Sequence, residues 1–303
     1  MTQQIAFIGL GHMGLPMAIN LAKAGYSVVG FDLMPAAQAD AQESGLTVTS
    51  SAAAAAMEAD VVITMLPAGR HVLAAYEGEN GLLAVARPNS LFIDCSTISV
   101  EDARAANELV TAAGHCGLDA PVSGGVVGAA AGTLTFMVGG NEADFATASP
   151  ILAAMGKRTV HCGDPGAGQA AKVCNNMILA VSTIAVSEAF VLGERLGLSH
   201  ESLFEVAANA TGQCWALTTN CPVPGPVPTS PANRGYQPGF ASALMTKDLS
   251  LAAHAIEGTG VNARLGSMAE QIYRHFADGE GAQQDFSAII NEIRASSKMK
   301  ESV

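Results

Sequence analysis

Short apolar runs recur through the first half of the chain, at 5–9, 28–32, 61–66, 91–95, 116–121, 133–138 and 158–162. Stretches rich in alanine and leucine with helical periodicity separate most of them. That alternation predicts a mostly parallel, doubly wound α/β sheet. After Cys162 the pattern changes: Gly163-Asp164-Pro165-Gly166-Ala167-Gly168 breaks the chain, and residues 168–195 then hold no proline and almost no turn signal. One helix of about 40 Å is expected there, at 1.5 Å per residue. Its apolar residues fall on nearly every face, which predicts burial on most sides. From Leu198 onward the period stays helical, except across an irregular stretch holding Pro222, Pro224, Pro226, Pro228, Pro231 and Pro238. That stretch reads as an extended surface loop or, alternatively, as a cover over a substrate. Ser50-Ser51 ahead of the alanine run 52–56 marks a helix start.

The first run leads directly into Gly9-Leu10-Gly11-His12-Met13-Gly14, and Asp32 closes the second. Strand, glycines, helix, strand and acid in register form a dinucleotide-binding fingerprint. The first glycine allows a sharp turn, the second a close approach of backbone to a pyrophosphate, and the third tight packing of helix on sheet. The phosphates would sit on free N–H groups at the helix N-terminus. Asp32 is placed to accept hydrogen bonds from both ribose hydroxyls and to repel a 2′-phosphate, so the expected cofactor is NAD. The expected architecture is therefore a Rossmann domain over 1–164 and an all-α domain over 165–303, joined by the long interdomain helix.

The 303 residues leave room for two domains and an ample core. A hydrophobic share of 49% and a charged share of 14% are unusual for a lone subunit, which predicts a homo-oligomer, dimer or tetramer. The longest apolar run, 177–186, is interrupted by Ser182 and Thr183 and is too short to span a bilayer, so no membrane partner is expected. No signal-peptide pattern opens the chain. A net charge of -12 with 15 scattered basic residues disfavours nucleic acid. Six cysteines form no CxxC pair and read as reduced thiols of a cytoplasmic protein. The histidines show no metal-ligand spacing, so no metal is expected.

Hydride transfer from an alcohol to NAD needs a group to take the hydroxyl proton, and no histidine is well placed for it. In Gly166-Ala167-Gly168-Gln169-Ala170-Ala171-Lys172-Val173-Cys174-Asn175-Asn176, Lys172 and Asn176 are four apart and share a helix face, with Asn175 on the flank. Burial between domains, the helix N-terminus and a positive nicotinamide ring would each favour the neutral amine. The same segment also reads as a lysine snorkelling from a buried helix beside two capping amides. Asp119-Ala120-Pro121-Val122-Ser123-Gly124-Gly125 follows a strand at its C-terminal end. Ser123 with the amides of Gly124 and Gly125 suits a carboxylate, or is an ordinary turn. Met65-Leu66-Pro67 and Cys95-Ser96-Thr97 end other strands and should line the cofactor, with Thr97 near the nicotinamide ribose. On their own, Trp215 and Phe240 read as core residues and Lys247-Asp248 as a solvated pair.

Taken together the chain resembles the β-hydroxyacid dehydrogenase family. The resemblance spans essentially the whole sequence and is carried by FIGLGHMG at 7–14, DAPVSGG at 119–125, GAGQAAKVCNN at 166–176 and GFASALMTKDLSLA at 239–252, with QCWALTTNCPVPG at 213–225. It implies that Lys172 is catalytic, that Asn176 orients the substrate and that Ser123, Gly124 and Gly125 hold its carboxylate. Lys247 would close over the cofactor with Asp248 in support, and Trp215, Asn220 and Phe240 would wall the substrate. The implied reaction is NAD-dependent oxidation of a small 3-hydroxyacid, 3-hydroxyisobutyrate first, with L-serine or tartronate semialdehyde as alternatives. A non-catalytic NAD-binding module is the rival from another class.

Overall fold

The computed structural model describes residues 3–297. The chain divides into two compact units, Met1–Lys172 and Val173–Val303.

The first unit is built on strands β1 (Gln4–Ile8), β2 (Ser27–Phe31), β3 (Thr47–Val48), β4 (Val61–Thr64), β5 (Leu91–Asp94), β6 (Cys116–Asp119), β7 (Val122–Ser123), β8 (Leu134–Gly139) and β9 (Gly156–Gly163). All seven expected strands form. The sequence pattern missed β3 and β7, each two residues long and too short to show a period. The sheet runs β3-β2-β1-β4-β5-β6-β8-β7, with β9 paired to β8. Every neighbour from β3 to β6 is parallel, β8 runs antiparallel to β6 and β7, and β9 is parallel to β8. The order reverses between β1 and β4, so the crevice beyond their carboxyl ends is the topological switch point.

Central strands β4 and β5 are buried at every position, as parallel strands covered on both faces require. On β1 the period of two divides the strand between two layers. Ile5 and Phe7 join Met17, Leu21 and Ile93 on one side, and Ala6 and Ile8 join Val62, Val72 and Phe92 on the other. Each such large side chain contributes roughly 1.5–3 kcal/mol on burial. Ser51 caps the helix Ala52–Ala56 through its side chain, as the serine pair predicts.

The long helix spans Ala167–Arg195. In the second unit it is followed by helices His200–Ala208, Trp215–Thr218, Ser242–Thr259, Arg264–Asp278 and Ile289–Ser296, and no strand is described there. Ala180 and Ile184 pack with Met245, Leu249, Ala269, Tyr273 and Ile289 as its core. By length and hydropathy the long helix could cross a bilayer. Its polar residues Gln169, Lys172, Asn176, Thr183 and Ser187 are instead buried in the protein.

The long helix is buried or half-buried on most sides, as expected, but one stripe is open: Ile178 and Leu192 are 63% and 59% exposed, and Leu196 beyond its end is 71% exposed. Periodicity locates apolar residues but not what covers them. A groove of about 660 Å³ lies beside this stripe, lined by Val191, Leu192, Arg195, Ile272, His275 and Ile293 among others. The proline-rich stretch is also more than a surface loop. Val223 and Val227 pack with Phe190, Leu217, Cys221 and Ile290, and Pro231–Arg234 forms a 3-10 turn capped by Ser230.

Candidate active site

In the sheet unit, β1 runs out into Gly9, which adopts φ +99° and donates its N–H to Phe31 O. A Cβ on Gly9 would lie 2.3 Å from Met65 O, at the end of β4, so glycine is required on both counts. A Cβ on Gly14 would lie 1.8 Å from Gly9 O. Gly11 differs: a Cβ there meets nothing within 4 Å, so the space above it is open. The helix Gly14–Lys23 has no side-chain cap at Met13. Leu15 N donates to Gly11 O at 3.0 Å, Met17 N to Met13 O at 3.4 Å, and Pro16 has no N–H, so it is the Gly14 amide at the helix start that is left for an anion. Asp32 accepts from Leu10 N at 2.7 Å and from Met34 N at 2.8 Å, which fixes the carboxylate against the glycine loop. His12 is exposed and Met13 half-buried beside it. Open space at the second glycine, an uncapped helix end and a fixed acid at the end of β2 together fit a dinucleotide.

The loops after β4 and β5 are joined. Leu66 N donates to Ser96 Oγ at 2.8 Å, and Asp94 Oδ1 accepts from Ser96 Oγ at 2.6 Å, Thr64 Oγ1 at 2.7 Å and Ser96 N at 3.1 Å. Asp94 Oδ2 is buried with no hydrogen-bond partner. Burial pushes the Asp94 carboxyl up to about 6, against the lowering effect of the bonds from Ser96 and Thr64. Pro67 is exposed and Leu66 and Thr97 are half-buried at this edge.

A second buried carboxylate docks the long helix. Asp119, at the end of β6, accepts from Gly166 N at 2.7 Å and Gln169 N at 2.8 Å. Burial raises its pKa, opposed by those amides. Gln169 donates Nε2 to Ser96 O at 2.7 Å and accepts from Ile98 N at 3.2 Å. The first helical turn is thus pinned to the ends of β5 and β6. Three residues on, Lys172 is buried and donates Nζ to Val122 O at 2.9 Å. Val122 precedes Ser123, Gly124 and Gly125, and both glycines have positive φ, +132° and +61°. The structure therefore brings Lys172 to the Ser123-Gly124-Gly125 loop. Asp94 went unnoticed in the sequence, Ser96 appeared there as part of the Cys95-Ser96-Thr97 loop, and Asp119 and Gln169 appeared only as members of motifs. A usable signal was present, since LFID and CGLD both end a buried strand on an aspartate.

In the helical unit, Asn176 is buried and donates Nδ2 to Asp248 Oδ2 at 2.5 Å, while Asn175 Nδ2 donates to Asn176 Oδ1 at 3.0 Å. Asp248 is therefore not half of a solvated pair: it is buried on the helix Ser242–Thr259 as the acceptor for Asn176. Lys247 beside it is half-buried. Trp215 is not a core residue either, standing 52% exposed at the start of its short helix. Phe240 is half-buried and meets Phe286 edge-on, with ring centroids 5.8 Å apart. Asn220 is buried and donates to Asp285 at 3.2 Å. Among the described residues no group of three or more His, Cys, Asp or Glu side chains is placed to hold a metal ion.

Comparison with known proteins gives the same reading. Residues 4–163 match the family described as the NAD binding domain of 6-phosphogluconate dehydrogenase, and residues 166–293 match that described as NAD-binding of NADP-dependent 3-hydroxyisobutyrate dehydrogenase. A probable 3-hydroxyisobutyrate dehydrogenase of Mycobacterium tuberculosis is 58% identical over 291 residues, covering 96% of this chain and 98% of the relative. An NAD-dependent L-serine dehydrogenase of Pseudomonas aeruginosa is 46% identical over 287 residues, covering 95% of this chain and 96% of that one. The solved structure of the Mycobacterium tuberculosis 3-hydroxyisobutyrate dehydrogenase with L-serine superposes with a TM-score of 0.93 at 57% identity, covering 97% of this chain and all of the other. With this similarity along its whole length, and a dinucleotide cradle at the switch point of its sheet, the chain belongs to the 3-hydroxyisobutyrate dehydrogenase family of NAD-dependent β-hydroxyacid oxidoreductases.

Proposed function

We propose that this protein oxidises (S)-3-hydroxyisobutyrate to methylmalonate semialdehyde with NAD, as a step of valine degradation. The observation that carries the reading is the buried Lys172 amine, held 2.9 Å from Val122 O beside the Ser123-Gly124-Gly125 loop and one helical turn before Asn176. When bound, NAD supplies the hydride acceptor. Gly9, Leu10, Gly11, His12, Met13 and Gly14 would hold its pyrophosphate, Asp32 its adenosine ribose, and Leu66, Pro67, Thr97 and Lys247 the remainder.

Lys172 acts as the general base for the substrate hydroxyl. The Val122 carbonyl accepts one of its N–H bonds, which holds the nitrogen beside the Ser123 loop, and in its neutral form the amine takes the hydroxyl proton. Asn176 orients the same hydroxyl, itself steadied by the Asp248 carboxylate. Ser123 and the amides of Gly124 and Gly125 take the substrate carboxylate. Trp215 and Phe240 wall the site. Asp32, fixed by two backbone amides, receives ribose hydroxyls and opposes a 2′-phosphate.

L-serine is the second reading, favoured by the 46% identical L-serine dehydrogenase and by L-serine in the solved relative. Both substrates are 3-hydroxyacids and use the same lysine. The exposed apolar stripe on the long helix and the groove beside it support a homo-oligomer, and six free thiols support a reducing, cytoplasmic setting. Lys172→Ala tests the mechanism: kcat should fall by about 10²–10⁴-fold while the Kd for NAD stays near wild type. A variant that keeps most of its turnover removes the lysine from the chemistry.

A further inference from the structure

Asp285 belongs to no motif of the sequence and is 1% exposed. Its carboxylate accepts five hydrogen bonds. Oδ1 takes Asn220 Nδ2 at 3.2 Å, Ser287 N at 3.1 Å and Ser287 Oγ at 2.7 Å. Oδ2 takes Gly239 N at 3.0 Å and Phe240 N at 3.2 Å. Five donors on two oxygens is more than a carboxamide can accept, since an amide offers one oxygen and turns a donor toward the other two N–H groups.

The backbone around Asp285 extends the clamp. Asp285 N donates to Tyr236 O at 2.9 Å, Phe286 N to Phe240 O at 3.0 Å, and Ser242 N to Gln284 O at 2.8 Å. Tyr236 sits at φ +57°, uncommon for a residue with a side chain, and its hydroxyl donates to Pro222 O at 2.9 Å. Two segments distant in sequence, 236–242 and 284–287, are thereby locked together. From the first emerges the helix Ser242–Thr259, which carries Lys247 and Asp248.

We propose that Asp285 is a positioning residue that sets hydroxyacid selectivity by fixing the Gly239-Phe240 backbone and the Asn220 amide as one rigid wall. The inference rests on the reading of Phe240 and Asn220 as walls of the substrate site. Three of these five donors, Asn220 Nδ2, Gly239 N and Phe240 N, come from residues assigned to, or adjoining, that wall.

The test is steady-state kinetics of Asp285→Asn, Ser287→Ala and Phe240→Ala on (S)-3-hydroxyisobutyrate and L-serine at saturating NAD, with NAD affinity and Tm measured alongside. Asp285→Asn should raise the hydroxyacid KM by about ten- to a hundredfold, in keeping with the cost of misplacing a positioning group. It should also change the ratio of kcat/KM between the two substrates and leave NAD affinity at the wild-type value. Ser287→Ala, which removes one donor, should move KM in the same direction by a smaller factor, and it decides the matter if Asp285→Asn does not fold. A folded Asp285→Asn with wild-type KM and selectivity, while Phe240→Ala raises KM, overturns the positioning role alone. A wild-type KM in Phe240→Ala removes the wall reading and the inference with it.

Discussion

The glycine loop of the sheet unit and the 220–287 region of the helical unit place their candidate residues by different means. In the first, the shape is local: Gly9, Gly11 and Gly14 sit within six positions, and the acid that braces them is 22 residues from the amide it binds. In the second, a single carboxylate collects three of its five donors from 45 to 65 positions away. A cofactor cradle assembled at one strand-to-helix turn leaves its signature in a short motif. A wall assembled from the ends of several helices leaves none, because each partner is an ordinary residue until the chain has folded.

The largest expected effect breaks the local cradle. Gly14→Ala forces a Cβ to within 1.8 Å of Gly9 O. Thermal unfolding should show a loss of about 1–3 kcal/mol, and NAD affinity should collapse. Gly11→Ala is the sharpening control, since its Cβ meets nothing. It should unfold within about 0.5 kcal/mol of wild type and still weaken NAD.

Next in size is the strand-end network that holds the loops after β4 and β5. Burial raises the Asp94 carboxyl to about 6 in the folded protein, above its ordinary value of 3.8. Between those values the folded state binds the proton more tightly than the unfolded state does. Stability therefore falls as pH rises from about 4 to about 6, by about 3 kcal/mol at most. Asp94→Asn removes that component. Urea or thermal melts at pH 4 and pH 7 should show a smaller decline with rising pH in the variant than in wild type. Equal declines would mean that the buried acid does not titrate in this range.

Smallest is Asp32→Ala, which removes the group expected to bind the ribose hydroxyls. Loss of charge-assisted bonds worth about 1.5 kcal/mol or more should narrow the preference for NAD over NADP by about tenfold. Paired kcat/KM values for the two cofactors measure it, and an unchanged ratio moves the ribose contact elsewhere.

Legibility in the sequence follows the same division. The long helix was expected at 168–195 and spans Ala167–Arg195, because a proline-free apolar stretch after a glycine-rich break has few other solutions. The strands β3 and β7 escaped notice because two residues carry no period. The exposed face of the long helix escaped because apolarity on every side does not say which side is covered. Asp119 and Gln169 dock that helix through hydrogen bonds reaching 50 and 73 positions, so only the folded chain shows why Lys172 arrives beside Ser123. Asp248 looked solvated by composition, yet it is buried by the amide of Asn176, 72 positions away.

In the proposed function the cradle selects NAD and Lys172 acts on a branched 3-hydroxyacid. The most direct measurement is the initial rate of NADH or NADPH formation by wild-type protein on (S)-3-hydroxyisobutyrate and on L-serine, each with NAD and with NADP. The highest kcat/KM is expected for (S)-3-hydroxyisobutyrate with NAD. A higher value for L-serine, or for either substrate with NADP, contradicts the claim, and silence on all four combinations removes the catalytic reading.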